Sequence, residues 1–508
     1  MDILSNLAMG FGVAFTPENL MYCFFGVFLG TLIGVLPGVG ALAAVSMLLP
    51  VTFYIEPTAA LVMLAGVYYG SEYGGSIASI LLNLPGTPAA AVTCLDGYPM
   101  AQNGRAGVAL FVTAIASFCG ASVGILALTA FAPALAQIAL SFGPTEYFAV
   151  MVLGLIAAAS VTQGSPIKGI TMVCFGVLIG MVGTDINTGI PRYTFGLPFL
   201  YDGISLVALA MGLFGISEVI ASIRMRKSQK QIAPDVTFRS MLPTREDMRR
   251  FAMPALRGTG IGSFFGSLPG TGQTIASFIA YAVEKRVARQ PERFGKGAIE
   301  GVISPEAANN AAAQTAFIPT LTMAIPGSAT MALMLGALLI HGITPGPSFI
   351  ANRPEMFWGL VASFWIGNLL LVLLNIPLIG LWIRLLRVPY HYLYPSIIVL
   401  ICIGVYSANN SVFDVGLALM FGVIGYCMRL FDYEPAPLLI GFVLGPMLEE
   451  NFRRAVIYSR GDFTTFFTEP VSGSLLGLAL LLLLWSLISA FRRPQRGQVE
   501  EVLREDSK

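Results

Sequence analysis

The sequence predicts an all-α polytopic membrane protein built from two structural repeats, with broken helices or re-entrant hairpins at Pro-Gly motifs. Composition is the first reason: 56% of the 508 residues are hydrophobic and only 11% are charged, with a mean hydropathy of +0.76. That leaves too little polar surface to coat a water-soluble globule. A doubled device is the second reason. Glycine recurs at every fourth position from Gly26 to Gly38 and again from Gly258 to Gly270, and both runs end in a Leu-Pro-Gly-x-Gly turn. Gly26, Gly30, Gly34, Leu36, Pro37, Gly38 and Gly40 fall on Gly258, Gly262, Gly266, Leu268, Pro269, Gly270 and Gly272 at a constant offset of 232 residues. Glycines four apart form a bare helical stripe that lets two backbones approach, and the Pro-Gly pair then breaks the helix. A helix broken at the same point in both halves of an apolar chain points toward a transporter's binding site.

Taken in order, residues 1–19 form an N-terminal segment. Lys, Arg and His are absent before Arg105, so the basic start of a cleaved secretory signal is missing and the segment is expected to be retained. Membrane repeat one is placed at 20–223, with apolar runs at 107–135, 147–161, 167–182 and 204–223. A linker at 224–250 carries eight basic against three acidic residues, which the positive-inside rule assigns to the cytoplasm. Membrane repeat two follows at 251–456, with apolar runs at 356–376, 395–405 and 412–428. Residues 457–491 supply a loop and an extra C-terminal transmembrane helix, and 492–508 a polar cytoplasmic tail. The total is roughly a dozen membrane segments, some of which dip in and return.

A second pair of motifs supports the division, because Asn83-Leu-Pro-Gly-Thr87 is answered by Ala324-Ile-Pro-Gly-Ser328. With a short insertion, Glu72 would pair with Glu306. The loop 284–296 carries five basic and two acidic residues, whereas its counterpart 50–57 has only Glu56. Equivalent loops facing opposite sides favour inverted repeats with a site at the bilayer midplane, parallel repeats being the alternative.

Other chemistries find little support. A net charge of +1 says nothing about nucleic-acid or acidic partners, no nucleic acid is expected as a partner, and the six scattered cysteines read as small buried hydrophobes. His341 and His391 are far apart, so neither zinc nor haem is expected, nor any cofactor, and no metal beyond a transported ion. Gly120-Ala-Ser-Val-Gly124 fits the hydrolase Gly-x-Ser-x-Gly pattern but lies in an apolar helix rather than a strand-to-helix elbow, so an enzyme is not expected. A purely structural scaffold leaves four broken helices without a use.

The segments GTLIGVLPGVG, YGGSIASILLNLPGTPAA, LDGYPMAQNGRAG, GKGAIEGVISPEAANNAAAQ and IPGSATMALMLGALLIHGITPGP follow one another in this order. Together they resemble the large membrane subunit of the tripartite tricarboxylate transporters, over nearly the whole chain from Leu20 to about Ile457. The resemblance implies a multi-pass permease of the bacterial inner membrane that works with a small membrane subunit and a periplasmic solute-binding protein. It would import organic carboxylates, tricarboxylate or dicarboxylate, by ion-coupled secondary transport in the lipid bilayer, and a dimer of the membrane complex is left open. A stand-alone carboxylate transporter or an anion channel without a binding protein is the alternative. In the family pattern the position of Glu72 is often small or uncharged and that of Thr87 often acidic, and this chain departs at both.

A bare charge at mid-membrane costs at least a few kcal/mol, and no arginine lies near the motifs to hold an anion. The remaining positive potential is the backbone, because a helix restarting after a Pro-Gly break carries unpaired N–H groups and roughly half a positive charge. Four such tips would supply about two charges, and cations or protons, Na+ or H+, the rest. The expected substrate site is therefore Pro37, Gly38, Gly40, Asn83, Pro85, Gly86 and Thr87 in repeat one. In repeat two it is Pro269, Gly270, Gly272, Gln273, Asn310, Pro326, Gly327 and Ser328. Glu306 and Asn309 are the expected ion-coupling pair, the plainer reading being that Glu306 caps a helix start behind Pro305. For the glycine stripes the plainer reading is helix packing. Asp96 and the pair Asp185 and Arg192 each read as a salt bridge or loop anchor, and Lys168 as a snorkelling cation.

Overall fold

Proline and polar caps set many of the helix starts, and left-handed Asn83, Ala324, Gly342 and Asn410 stand just past the ends of four of the helices. The computed structural model describes residues 3–160, 165–185, 187–224, 236–268, 272–386 and 390–492. Helix α1 (Ile3–Ala14) turns by 81° into α2 (Pro17–Gly34), where Thr16 caps the backbone of Asn19 and Pro17 opens the helix. Beyond the Pro37-Gly38 turn lies α3 (Gly40–Leu48), then α4 (Pro57–Leu82), whose start is capped by Glu56 accepting from Thr58 N at 2.8 Å and Ala59 N at 3.2 Å. After the second break come a 3-10 turn (Pro88–Ala91) and α5 (Cys94–Met100), joined through a kink at Asn103 and Gly104 (φ 75°) to α6 (Ala106–Ala139). Helices α7 (Pro144–Ser160) and α8 (Pro166–Gly180) lead to a hairpin of two-residue strands, β1 (Gly183–Thr184) and β2 (Pro191–Arg192), paired antiparallel. Helix α9 (Leu206–Ala210) runs through a π turn into α10 (Ser217–Arg224).

The second half opens with α11 (Arg245–Arg249), α12 (Ala252–Gly266) and α13 (Gly272–Val287). Its central helix is α14 (Glu300–Thr315), continued by α15 (Phe317–Met323) and, past the break, α16 (Ala329–Ile340). Then follow α17 (Pro347–Asn352), α18 (Pro354–Asn375), α19 (Ile379–Leu385), α20 (Tyr390–Asn409), α21 (Val412–Leu430), α22 (Pro435–Tyr458), α23 (Thr465–Thr468) and α24 (Pro470–Arg492). Linker residues 225–235 and tail residues 493–508 lie outside the described residues.

The glycine stripes are helix seams. Gly26, Gly30 and Gly34 of α2 rest on the backbone of Met63, Val67 and Ser71 in α4, where a Cβ would overlap main-chain atoms. Gly258, Gly262 and Gly266 of α12 rest in the same way on Ser304, Ala308 and Ala312 of α14. Between helices in lipid there is no hydrophobic drive, so this close packing is what holds them. Positions 63 and 304, 67 and 308, and 71 and 312 all differ by 241, and the same step takes Asn83 at the end of α4 to Ala324 at the end of α15. The helix register therefore corrects the pairing of Glu72 with Glu306. No insertion fits between packed helices, and the step of 241 takes Glu72 to Ala313 and Ala65 to Glu306.

Each apolar run picked out in the sequence is helical over its described length except for one or two residues at an end, such as 181–182, 204–205 and 376. The expected dozen spans, however, are not a dozen uninterrupted helices. Among the described residues four are long and apolar enough to cross a bilayer, Cys94–Ala139, Pro354–Asn375, Val412–Leu430 and Pro470–Ile488, with the bent pair α1 and α2 a fifth if it counts as one span. The rest of the apolar material is in shorter helices, cut by breaks and π turns. The central helices α4 and α14 fall short in apolarity for another reason. Almost every residue of both is buried in protein, so they carry Ser, Asn, Gln and Glu where lipid-facing helices carry Leu and Phe.

Candidate functional site

Both central helices end alike. Asn83 (φ 56°, ψ 29°) and Ala324 (φ 57°, ψ 29°) take the left-handed conformation, the Pro-Gly pair follows, and Thr87 and Ser328 are extended N-caps of the next turn. Asparagine visits that region readily, whereas alanine there costs roughly 1–2 kcal/mol. Gly86 and Gly327 each face the first break of their own half. A Cβ on Gly86 would strike Gly34 O and Gly75, and one on Gly327 would lie 3.6 Å from Gly266 O and 3.5 Å from Ala316.

The segments behind the breaks then pair crosswise between halves. Helix α13, behind the first break of half two, packs on the turn Pro88–Ala91 behind the second break of half one, and α3 packs on α16. Gln273, the second residue of α13, donates its amide to the Tyr68 hydroxyl on α4, and Ser328 lies beside that same hydroxyl. Equivalent breaks differ in exposure. Gly38, Asn83 and Pro85 are exposed and Pro37 is half-buried, whereas Pro326 and Gly327 are buried. Pro269 and Gly270 lie outside the described residues; Gly272, with φ 58°, begins α13.

The picture of four uncapped helix tips needs correction. The turn behind Gly86 is a four-residue 3-10 segment, too short to sum a helix dipole, and Gly86 N itself donates to Gly75 O at 3.2 Å. Ser328 caps α16 by accepting from Met331 N at 3.3 Å, so that amide is not free. Val39 contributes no side-chain cap to α3, and Gly38 and Gly40 hold φ of 87° and 73°, which only glycine adopts without strain.

Behind these breaks lies a buried polar cluster that joins the halves. Glu72 accepts from the Thr87 hydroxyl at 2.9 Å and from the Asn309 amide at 3.1 Å. Glu306 accepts from Ser76 at 2.7 Å, from Ser117 of α6 at 3.3 Å and from Thr93. The Asn310 amide donates to Ser117 at 2.8 Å and to Glu306 O at 3.1 Å. Among the described residues no Lys, Arg or His acts on either carboxylate. The cap reading of Glu306 is overturned: α14 starts at Glu300, Pro305 is inside it, and Glu306 is nearly two turns from its start. Sequence reading missed Tyr68, Ser76, Thr93 and Ser117. Ser76 stands one turn from Glu72 and could have been noticed, but Ser117, one of two serines in apolar α6, gives no signal before its neighbour α14 is known.

The remaining polar spots are structural. Asp96 accepts from the amides of Gly295, Gly297 and Ala298 at 2.8–2.9 Å and from the Tyr281 hydroxyl at 2.9 Å, which makes it an anchor of the basic loop rather than half of a salt bridge. Asp185 and Arg192, 3.8 Å apart, belong to a network with Glu449 and Arg453. The Asn187 amide and the Arg453 guanidinium hold the Asp185 carboxyl below its ordinary value, and hydrogen bonding from Arg192 does the same for Glu449. Lys168 does more than snorkel: its ammonium donates to Phe431 O at 2.6 Å and lies 4.8 Å from the centre of the Tyr433 ring. Gly120 and Gly124 pack α6 onto Ala307 and Ala311, with no elbow.

Comparison with known proteins adds three findings. The family model described as the tripartite tricarboxylate transporter TctA family matches residues 20–440. The chain is 50% identical over 492 residues to an uncharacterized 52.8 kDa protein in the TAR-I ttuC' 3' region of Agrobacterium vitis, covering 97% of this chain and 98% of that one. It is also 55% identical over 238 residues to an uncharacterized protein in the TAR-II ttuC' 3' region of the same organism, 47% of this chain and 98% of that one. No solved structure matches significantly.

Proposed function

The chain belongs to the tripartite tricarboxylate transporter TctA family, and from that membership we propose that it is the permease subunit of a cation-coupled importer of organic carboxylates. As a family member it is a membrane transporter component and not an enzyme. In this reading a periplasmic binding protein delivers the carboxylate, a small membrane subunit completes the inner-membrane complex, and inverted repeats give alternating access.

The observation that carries the reading is the crosswise pairing of the segments behind the four breaks, whose motifs at 36–40, 83–87, 268–272 and 324–328 contain no Lys, Arg or His. An anion met there is held by backbone dipoles. Helices α3, α13 and α16 would supply about 1.5 positive charges between them, short of a dicarboxylate and far short of a tricarboxylate. Co-bound Na+ or H+ makes up the difference, and the buried carboxylates Glu72 and Glu306 are the groups that would take it. Gly40, Thr87, Gln273 and Ser328 position the breaks, and the carboxylate meets Gly38, Asn83 and the first turns of α3 and α13.

The test is uptake of radiolabelled di- and tricarboxylates by cells carrying the chain with both partner subunits. Gly38→Val, which places a β-branched residue at φ 87°, is expected to abolish uptake while leaving insertion intact. Full uptake by that variant removes the first break from the site. Flux that survives collapse of both the sodium and the proton gradients identifies a channel instead.

A further inference from the structure

We propose that Glu72, Asn309, Asn310 and Glu306 bind one sodium ion at the seam between the halves and that this is the coupling ion. The inference rests on the reading above and sharpens it from an unspecified cation to a particular ion and site.

Three observations support the assignment. The donors are hard oxygens, two carboxylates and two amide carbonyls, the kind that suits an alkali or alkaline-earth cation rather than a transition metal. The carboxylates have no basic partner among the described residues, and burying such a pair without compensation is strongly unfavourable. Independently, the Oδ1 atoms of Asn309 and Asn310 are buried and accept no hydrogen bond. Each belongs to an amide whose nitrogen is already in the cluster, at 3.1 Å from Glu72 for Asn309 and 2.8 Å from Ser117 for Asn310, so each free oxygen is two bonds from an atom that the cluster already holds. A buried acceptor without a donor is unfavourable, and coordination to a cation relieves it. One further turn along the face of Glu306 and Asn310, the Gln314 Oε1 is likewise buried without a donor.

The site has a built-in connection to the substrate side. Glu72 holds the Thr87 hydroxyl, and Thr87 ends the Asn83-to-Thr87 break, so drawing Glu72 onto an ion moves the segment that faces the carboxylate. Because Glu72 belongs to one half and Asn309, Asn310 and Glu306 to the other, the ion also ties the halves together in this state.

The experiment is thermal unfolding of the detergent-purified full chain while NaCl replaces choline chloride at constant ionic strength and pH. A saturable rise in melting temperature with Na+ is expected. Glu306→Gln and Asn309→Leu are each expected to raise the half-saturating Na+ concentration about tenfold or more. The wild-type titration decides the matter even if a variant fails to fold, and Ser117→Ala, which keeps both carboxylates, is a gentler third variant. A melting temperature that follows pH but not Na+ assigns the cluster to a proton and overturns the sodium site, leaving carboxylate import intact. A Na+ response unchanged in all three variants moves the ion elsewhere and overturns it too. Failure of the underlying reading looks different: no carboxylate is then taken up by cells carrying the complete system, whatever the cation.

Discussion

Gly260 and Gly262 stand two residues apart on α12 and meet opposite surroundings. A Cβ on Gly262 would overlap the backbone of Ala308, whereas one on Gly260 meets nothing within 4 Å. Gly262→Ala should therefore destabilise the protein by about 1–3 kcal/mol through overpacking. Gly260→Ala should be neutral or stabilise by up to about 1 kcal/mol through helix propensity. Unfolding in detergent compares the two, and equal losses would show that α12 and α14 do not meet at this seam. The same residue-level logic applies to Asp96. Its Oδ1 accepts three loop amides, so Asp96→Ala leaves three donors without an acceptor, each worth roughly 1–3 kcal/mol if it stays buried. The loop is expected to relieve that cost by opening, read as faster proteolysis at the basic residues between 285 and 296 while the helical core stays intact.

At the scale of elements, the hairpin β1–β2 is tied to the polar end of α22 by charge. Arg453 reaches Asp185 at 2.8 Å and Glu449 at 2.6 Å, while Arg192 reaches Glu449 at 2.7 Å. Both carboxyls are held below their ordinary values of 3.8 and 4.5. Their contribution is therefore complete above those values and is lost as pH falls through the lower values of the folded state. Hydrogen exchange of residues 187–203 should be flat from neutral pH to about 5 and then lose protection toward pH 3, after correction for intrinsic rates. Arg453→Met should loosen the segment at neutral pH and flatten the acid response. An acid response unchanged by that substitution would assign it to other carboxylates.

At the scale of the molecule, the repeat was legible because glycine spacing records backbone approach directly: the stripes at 26–34 and 258–266 are there only because α4 and α14 lie against them. Left-handed Asn83 and Ala324 were legible only through the Pro-Gly pair that follows, since alanine gives no sign of positive φ. The ion cluster was half legible. Glu306, Asn309 and Asn310 stand out in an apolar chain, but Ser117 enters from a helix nearly 200 residues away, and Glu72 was aligned with the wrong position because motif matching ignores helix register. What no sequence comparison could reveal is the asymmetry between the breaks. Asn83 is exposed while Ala324 is buried beneath its surroundings, although both end their helices with the same dihedral angles. If the halves exchange roles during transport, that difference belongs to one state and reverses in the other. With the six native cysteines replaced, Asn83→Cys should react readily with a water-soluble maleimide and Ala324→Cys slowly. Adding carboxylate, Na+ and both partner subunits should slow the first reaction and speed the second. Rates that change together, or not at all, would mean the two breaks do not open alternately and that the repeat builds a fixed pathway.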